Sequence, residues 1–284
     1  MRRILWMLAI WGLASATPAL AWGELGHKTV AQIALANVKP ATAAKIRALM
    51  RAEKGLGTPQ CRVRNLADAS YWPDCLRGDP DRWRYTFGWH YQDHDVCGNF
   101  DIKANCANGN CVTAQITRDA KILANTQLPT AQRLEALAFL AHFVGDVHMP
   151  LHAAEHDNDH GGNGVSLANV PSTDPKYPQT SLHWFWDTNM AEKALAGPSV
   201  VRSYSGAERS KWATGDVADW ARESYDMAKN VVYPMALGNL TCGGASAKSA
   251  TVSDAAVNAA LPATRLRIVQ AGLRLAKLLD QSLG

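Results

Sequence analysis

Leu137-Ala-Phe-Leu-Ala-His142-Phe-Val-Gly-Asp146-Val-His148-Met-Pro150-Leu-His152 decides how the chain is read. It opens as an apolar helix and runs into polar residues. His142 and Asp146 are four apart, so on a helix they project from one face. Pro150 bends or ends the helix, and His152 follows at once. Two meanings stay open on this stretch alone. His142 is a core histidine hydrogen-bonded to Asp146, or the pair belongs to a metal site.

Further along, Leu182-His183-Trp-Phe-Trp-Asp187 repeats the same spacing beside apolar and aromatic residues. Asp74 lies in Trp72-Pro-Asp-Cys75, where Pro73 is expected to stop a helix. His90 lies in Gly88-Trp-His-Tyr-Gln-Asp93, and His27 follows Trp22 by five residues. Imidazole and carboxylate together suit zinc. His148 points away from the His142/Asp146 face by helical phase and reads as structural. His94, His156 and His160 read as exposed loop residues.

Met1 to Ala21 has the form of a signal peptide: Arg2 and Arg3, an apolar stretch from Ile4 to Leu13, then Ala19-Leu20-Ala21 as a small-x-small cleavage site. Cleavage would make Trp22 the N-terminus of residues 22–284. Its free α-amine and carbonyl oxygen could then chelate a metal near His27; otherwise Trp22 is only the first residue after the leader. No later segment is long and apolar enough to span a membrane. The expectation is a soluble exported protein, periplasmic or secreted, without a membrane anchor and monomeric. The net charge of +4 permits a polyanionic substrate without demanding one. Six cysteines in an oxidising compartment favour disulfides, with 15 possible connectivities. Cys106 and Cys111 flank a tight turn and are expected partners. The absence of a C-x-x-C pair argues against a thiolate zinc site.

Helical periodicity predicts helices over Glu24–Asn37, Ala41–Ala52, Val63–Trp72, Val112–Asn125, Thr130–Val147, Ser181–Leu195, Gly206–Val232 (ended by Pro234) and Ser253–Leu283. Arg77–Asn110 is irregular, with room for a short strand pair. Ala153–Gln179 reads as a long polar loop. The fold class is one all-α domain.

Trp-Gly-x-x-Gly-His from Trp22, then Trp-x-Asp-x-x-Arg, His-Tyr, His-Phe-Val-Gly-Asp-x-x-x-Pro-Leu-His, Gly-Gly-Asn and Leu-His-x-x-Trp-Asp occur in that order. In this the chain resembles the S1/P1 nuclease family across nearly all of residues 22–284. The resemblance implies the mostly helical fold shared with zinc-dependent phospholipase C. It also implies three zinc ions. Asp74, His90, His142 and Asp146 would hold the first, and His152, His183 and Asp187 the second. The backbone of Trp22 with His27 would hold the third, Asp146 bridging the first and third. The implied activity is hydrolysis of single-stranded DNA and RNA to 5′-phosphate products, with 3′-nucleotidase activity on nucleotides. Water made nucleophilic by zinc would attack phosphorus in line, oriented by Asp74. Arg77 matches the arginine beside the scissile phosphate. Asp93 matches the residue that hydrogen-bonds a base. Tyr91 matches the aromatic that stacks on it, where fungal members more often carry Phe; core packing is its other reading. By resemblance Cys97 pairs with Cys242, leaving Cys61 with Cys75. A zinc phospholipase C of the same fold and a non-enzymatic zinc-binding protein are the alternatives. The phospholipases usually carry Glu where this chain has Asp187.

Overall fold

The computed structural model describes residues 22–172 and 179–284; the expected leader, Met1–Ala21, lies outside them. In chain order the helices are α1 (Glu24–Asn37), α2 (Pro40–Met50), α3 (Leu66–Cys75), α4 (Pro80–Trp83), α5 (Val112–Ala124), α6 (Thr130–Asp146), α7 (Leu182–Trp184), α8 (Ala191–Leu195), α9 (Gly206–Trp212), α10 (Val217–Met227), α11 (Tyr233–Leu237) and α12 (Asp254–Leu283). A π-helical turn, Phe185–Met190, joins α7 to α8, so 182–195 is one continuous helix. The mostly helical architecture agrees with the sequence reading.

Helix α6 is the axis. From Ala136 to Asp146 every residue is buried, as expected of a helix apolar all round. Helices α1, α3, α5 and α12 pack around it. At 1.5 Å per residue, the 30 residues of α12 run about 45 Å. Its Arg274 is fully buried. There Arg274 donates to both carboxylate oxygens of Glu223 in α10, at 2.5 and 2.8 Å, and its guanidinium lies 2.9 Å from His148 Nε2. His148 Nδ1 is 2.7 Å from the Val144 carbonyl. The structural role expected of His148 is thus to tie the end of α6 to α12.

Two small sheets complete the fold. β1 (His94–Asp95) pairs in parallel with β2 (Ala154–Glu155). β3 (Ser166–Pro171) lies between β4 (Gln179–Ser181), antiparallel to it, and β5 (Ser249–Ala250), parallel. The β1/β2 contact is extended by Gln92 N–H donating to the His152 carbonyl at 2.8 Å. That brings the segment carrying His90 beside the one carrying His152.

Several boundaries differ from expectation. Pro73 does not stop its helix but sits inside α3, which ends two residues later at Cys75. Near a C-terminus the missing N–H of proline forfeits only one late hydrogen bond. Asp74 therefore still projects from helical backbone. The stretch expected as one helix over Gly206–Val232 is broken at Gly215, with φ +76°, where α10 restarts under an Asp216/Asp219 capping box. Pro234 does not end it; the residue occupies the first turn of α11, which tolerates proline. The polar stretch from Ala153 holds β2 and β3 rather than loop alone. His94 and His156 are buried, not exposed. His94 is caught between the carbonyls of Ala153 and Asp101, at 3.0 and 2.9 Å. His160 is exposed.

Three disulfides join Cys61 to Cys75, Cys97 to Cys242 and Cys106 to Cys111. The first pins the end of α3, one residue from Asp74. No described helix is long and apolar enough to cross a membrane.

Candidate metal centre

The last turn of α6 supplies His142 and Asp146, both fully buried. Asp146 turns its two oxygens to different partners. Oδ2 lies 3.1 Å from His90 Nδ1 and 3.3 Å from His142 Nε2, while Oδ1 lies 3.3 Å from His27 Nε2. From α3, Asp74 Oδ1 stands 3.6 Å from His142 Nε2 and 3.9 Å from His90 Nδ1. His27, on the first turns of α1, stacks on His142 with ring centroids 3.9 Å apart. That approach needs a glycine. A Cβ on Gly145 would stand 2.7 Å from the His27 ring.

A second cluster adjoins the first. The short turn Pro150–His152 that follows α6 carries His152, and the 182–195 helix carries His183 and Asp187. Nε2 of His183 is 3.1 Å from Asp187 Oδ2 and 3.1 Å from His152 Nε2. The π-helical turn begins at Phe185 and contains Asp187; such turns recur at functional sites. Trp22 is fully buried. Gly23 N–H donates to the Asp187 carbonyl at 2.8 Å, which anchors this end of the described chain against the second cluster.

Ring orientation fixes what these groups can offer a ligand. Nδ1 of His142, His152 and His183 lies 2.7, 2.7 and 2.6 Å from the carbonyls of Ser70, His90 and Gly161. A carbonyl only accepts, so each Nδ1 carries the proton and each Nε2 presents a lone pair. In both clusters these lone pairs and the carboxylate oxygens converge in buried surroundings. Burial pushes Asp74, Asp146 and Asp187 up to about 6. It holds His142 below the ordinary histidine range, and His90 and His152 well below it. Burial would lower His183 too, but the Asp187 carboxylate outweighs it and raises that ring. Converging neutral imidazole lone pairs and carboxylates, with the opposite ring nitrogen fixed by a carbonyl, are the donor set of a divalent cation. Three buried groups of this kind can be drawn: His27/Asp74/His142, His90/His142/Asp146 and His152/His183/Asp187. The residues fit zinc.

At the rim, Arg77 follows α3 in a short 3₁₀ turn. Its Nε is 3.3 Å from Asp74 Oδ1, its guanidinium lies over the Phe87 ring at 5.3 Å, and its side chain is 9% exposed. Its positive charge acts on His90, His142, His152, Asp146 and Asp187, members of both clusters. Tyr91 is 43% exposed. Asp93 is partly buried; burial, then Glu155, pushes its carboxyl well above the usual range, against the pull of His183. The segment Tyr91–Asp93, which the family resemblance links to a base, directly follows His90 and so borders the first cluster.

The sequence profile described as S1/P1 Nuclease matches residues 22–284. The chain belongs to the S1/P1 nuclease family. It is 28% identical over 304 residues to Endonuclease 3 of Arabidopsis thaliana, covering 98% of this chain and 94% of the plant protein. It is also 28% identical over 293 residues to Nuclease S1 of Aspergillus oryzae, covering 94% and 96%. Among solved structures it resembles the alpha-toxin of Clostridium perfringens, with TM-score 0.50 and 15% identity. That match covers 94% of this chain but only 65% of the toxin chain. The likeness gives this S1/P1 nuclease the phospholipase C type of fold.

Residue motifs did not reveal the supporting parts of the site: the carbonyls of Ser70, His90 and Gly161, and the contact of Gly145 with His27. Backbone acceptors leave no trace in residue identity. Gly145 did leave one, because a glycine inside an apolar helix costs stability and signals close packing.

Proposed function

We propose that this chain is an exported, zinc-dependent endonuclease that cuts single-stranded DNA and RNA to 5′-phosphate products, with 3′-nucleotidase activity. The observation that carries it is Asp146, whose two carboxylate oxygens face separate histidine sets beside an arginine that addresses both clusters. In this reading Asp74, His90, His142 and Asp146 would hold one zinc ion, His152, His183 and Asp187 a second, and the Trp22 backbone with His27 a third, to which Asp146 would also contribute. Residues 1–21 are a leader whose removal frees the Trp22 amine, and export delivers the protein to the periplasm or the medium.

Zinc held there supplies Lewis acidity toward phosphoryl oxygens and makes water nucleophilic near neutral pH. The chain's own residues do the rest. Arg77 brings a fixed cation, held by Asp74 and Phe87, to the equatorial phosphoryl oxygens, where negative charge grows in the transition state. Asp74, already in contact with Arg77, orients the attacking water. Tyr91 offers its exposed face to a base, and Asp93 its carboxyl to the base edge. A single strand can splay a base onto Tyr91, whereas duplex bases are already stacked on each other. That favours single strands with loose sequence preference.

The experiment is to offer protein beginning at Trp22 single-stranded DNA, single-stranded RNA and phosphatidylcholine, each with and without a zinc chelator. Chelator-sensitive release of 5′-phosphate products with lipid untouched is expected. Lipid hydrolysis alone would move the centre to phospholipase chemistry, and no hydrolysis of any would leave a zinc-binding protein. A form extended by a few residues before Trp22 should lose activity and part of its zinc; full activity would contradict the Trp22 chelate.

A further inference from the structure

Among the described residues the large exposed side chains include two aromatic rings, Tyr85 at 59% and Tyr91 at 43%. They bracket one short element. Arg84–His90 is a 3₁₀ helix, and Tyr91 is the residue just after it. Residues three apart eclipse in a 3₁₀ helix, so 85 and 88 share one side, and at a rise near 2.0 Å per residue Tyr91, in extended backbone just past the helix end, follows about 12 Å beyond Tyr85. The middle position is Gly88, and over it lies the exposed side chain of Asn110, whose amide atoms would stand 2.5 to 2.7 Å from a Cβ there. That amide makes no hydrogen bond to the described residues, and an amide can both donate and accept.

The Tyr85 ring is braced rather than loose. It stacks on Trp83 at 6.1 Å and meets Trp89 edge-on at 5.3 Å. Cations surround it. Arg118 of α5 lies over Trp89 at 4.8 Å with its side chain 41% exposed. Arg82 lies over Trp83 at 4.7 Å, fixed by the carbonyls of Gly57 and Leu56, and Arg84 is exposed. Carboxylates stand here too: Glu135 acts on Tyr85 more strongly than either arginine, and Asp119 Oδ1 lies 3.3 Å from Arg118 Nη1, which leaves the exposed part of that guanidinium facing outward. A braced, outward-facing ring with cations around it and a polar amide between it and a second ring is the composition of a single-strand track.

We infer that Tyr85, Asn110 and Arg118 form a second nucleotide subsite, on the same strand path as Tyr91 and some three stacked nucleotides from it. The distance follows from about 12 Å at 3.4 Å per stacked nucleotide, fewer nucleotides if the bases are splayed. Tyr85 stacks a base, Arg118 meets the backbone phosphate, and the Asn110 amide meets the edge of an intervening base. The inference rests on the nuclease reading for its ligand and deepens it: substrates long enough to reach Tyr85 bind better than dinucleotides.

The test compares wild type, Tyr85→Ala and Tyr85→Phe, all zinc-loaded. Binding is measured by fluorescence anisotropy with a slowly hydrolysed phosphorothioate octathymidylate, and turnover with a thymidine dinucleotide. Tyr85→Ala should bind the octamer about five- to tenfold more weakly, with dinucleotide turnover unchanged; Tyr85→Phe, which keeps the stacking face, should match wild type. Octamer binding unchanged in Tyr85→Ala would overturn the subsite. So would equal losses on octamer and dinucleotide, since they would mean a general disturbance, and so would a wild type without affinity for the octamer. Octamer binding that depends on Tyr85 without any cleavage would uphold the subsite while sinking the nuclease reading.

Discussion

His152 and His183 face each other Nε2 to Nε2 at 3.1 Å, while the Nδ1 of each is committed to a backbone carbonyl. Two lone pairs cannot stabilise one another, so the surrounding chain holds the pair together, and a cation between them would relieve the contact. Substituting His152 with Ala should lower zinc content by about one ion, read by elemental analysis, and lower the melting temperature of the zinc-loaded protein. An unchanged zinc count would remove His152 from the ligand set.

Gly145 matters for the same reason at the first cluster. In Gly145→Ala the new methyl would occupy the place of the His27 ring. The expected result is loss of the zinc assigned to His27 and loss of nuclease activity, with the helical circular dichroism of α6 retained because alanine favours helix. A fully loaded, active Gly145→Ala would show that His27 can hold its place from elsewhere.

Arg77 and Tyr91 should separate in kinetics. Arg77→Ala removes the cation meant for the transition state and should lower kcat about 10²- to 10³-fold. Tyr91→Ala should instead raise KM several-fold and leave zinc content normal. If both variants change the same parameter alike, the division between charge stabilisation and base stacking is wrong.

Asp119, remote from the clusters, gives a pH dependence of stability. Both of its oxygens are buried and without hydrogen bonds. Burial makes the folded carboxyl keep its proton to about pH 8, against 3.8 for a free one. The folded state therefore holds more protons across that window, and this residue's contribution to stability falls as pH rises through it. Asp119→Asn should match wild type near pH 4 and gain on it as pH rises. By pH 9 the gain should reach about 2–6 °C in Tm. A Tm difference that is flat from pH 4 to 9 would contradict this.

The Glu223–Arg274 pair makes a prediction about stability alone. Glu223→Ala leaves the buried guanidiniums of Arg274 and Arg267 without their shared carboxylate; because Glu223 is itself 39% exposed, the cost is below that of a fully buried pair, about 1–3 kcal/mol. Denaturant unfolding should show that loss, while zinc content and activity at low temperature stay near wild type. An activity loss at full occupancy and full folding would mean that the His148–Arg274 contact shapes the centre.

Much of this was legible in residue identity, for specific reasons. His142/Asp146 and His183/Asp187 announce themselves because a helix converts a spacing of four into a shared face. Asp74 and His90 are isolated in sequence and were placed only by resemblance; it takes the packing of α3 on α6, and the β1/β2 contact, to bring them in. Boundaries were less visible. Pro73 and Pro234 look like stops, yet each sits near a helix end where proline costs little. His94 and His156 look like loop residues, because nothing in their neighbourhoods discloses the carbonyls that receive them. Tyr85 was not distinguished at all, since an exposed ring and a core ring are written with the same letter.

The Cys97–Cys242 bond spans 145 residues, and all of α5 to α11 falls between its ends. A protease that cuts an exposed turn within that span, such as 196–199 or 214–216, breaks the polypeptide but releases nothing. Both pieces stay joined through sulfur, and the longest helix stays moored to the half that carries α6. A nicked molecule would run intact on a gel without reductant and as two bands with it. The chain is built to tolerate wear.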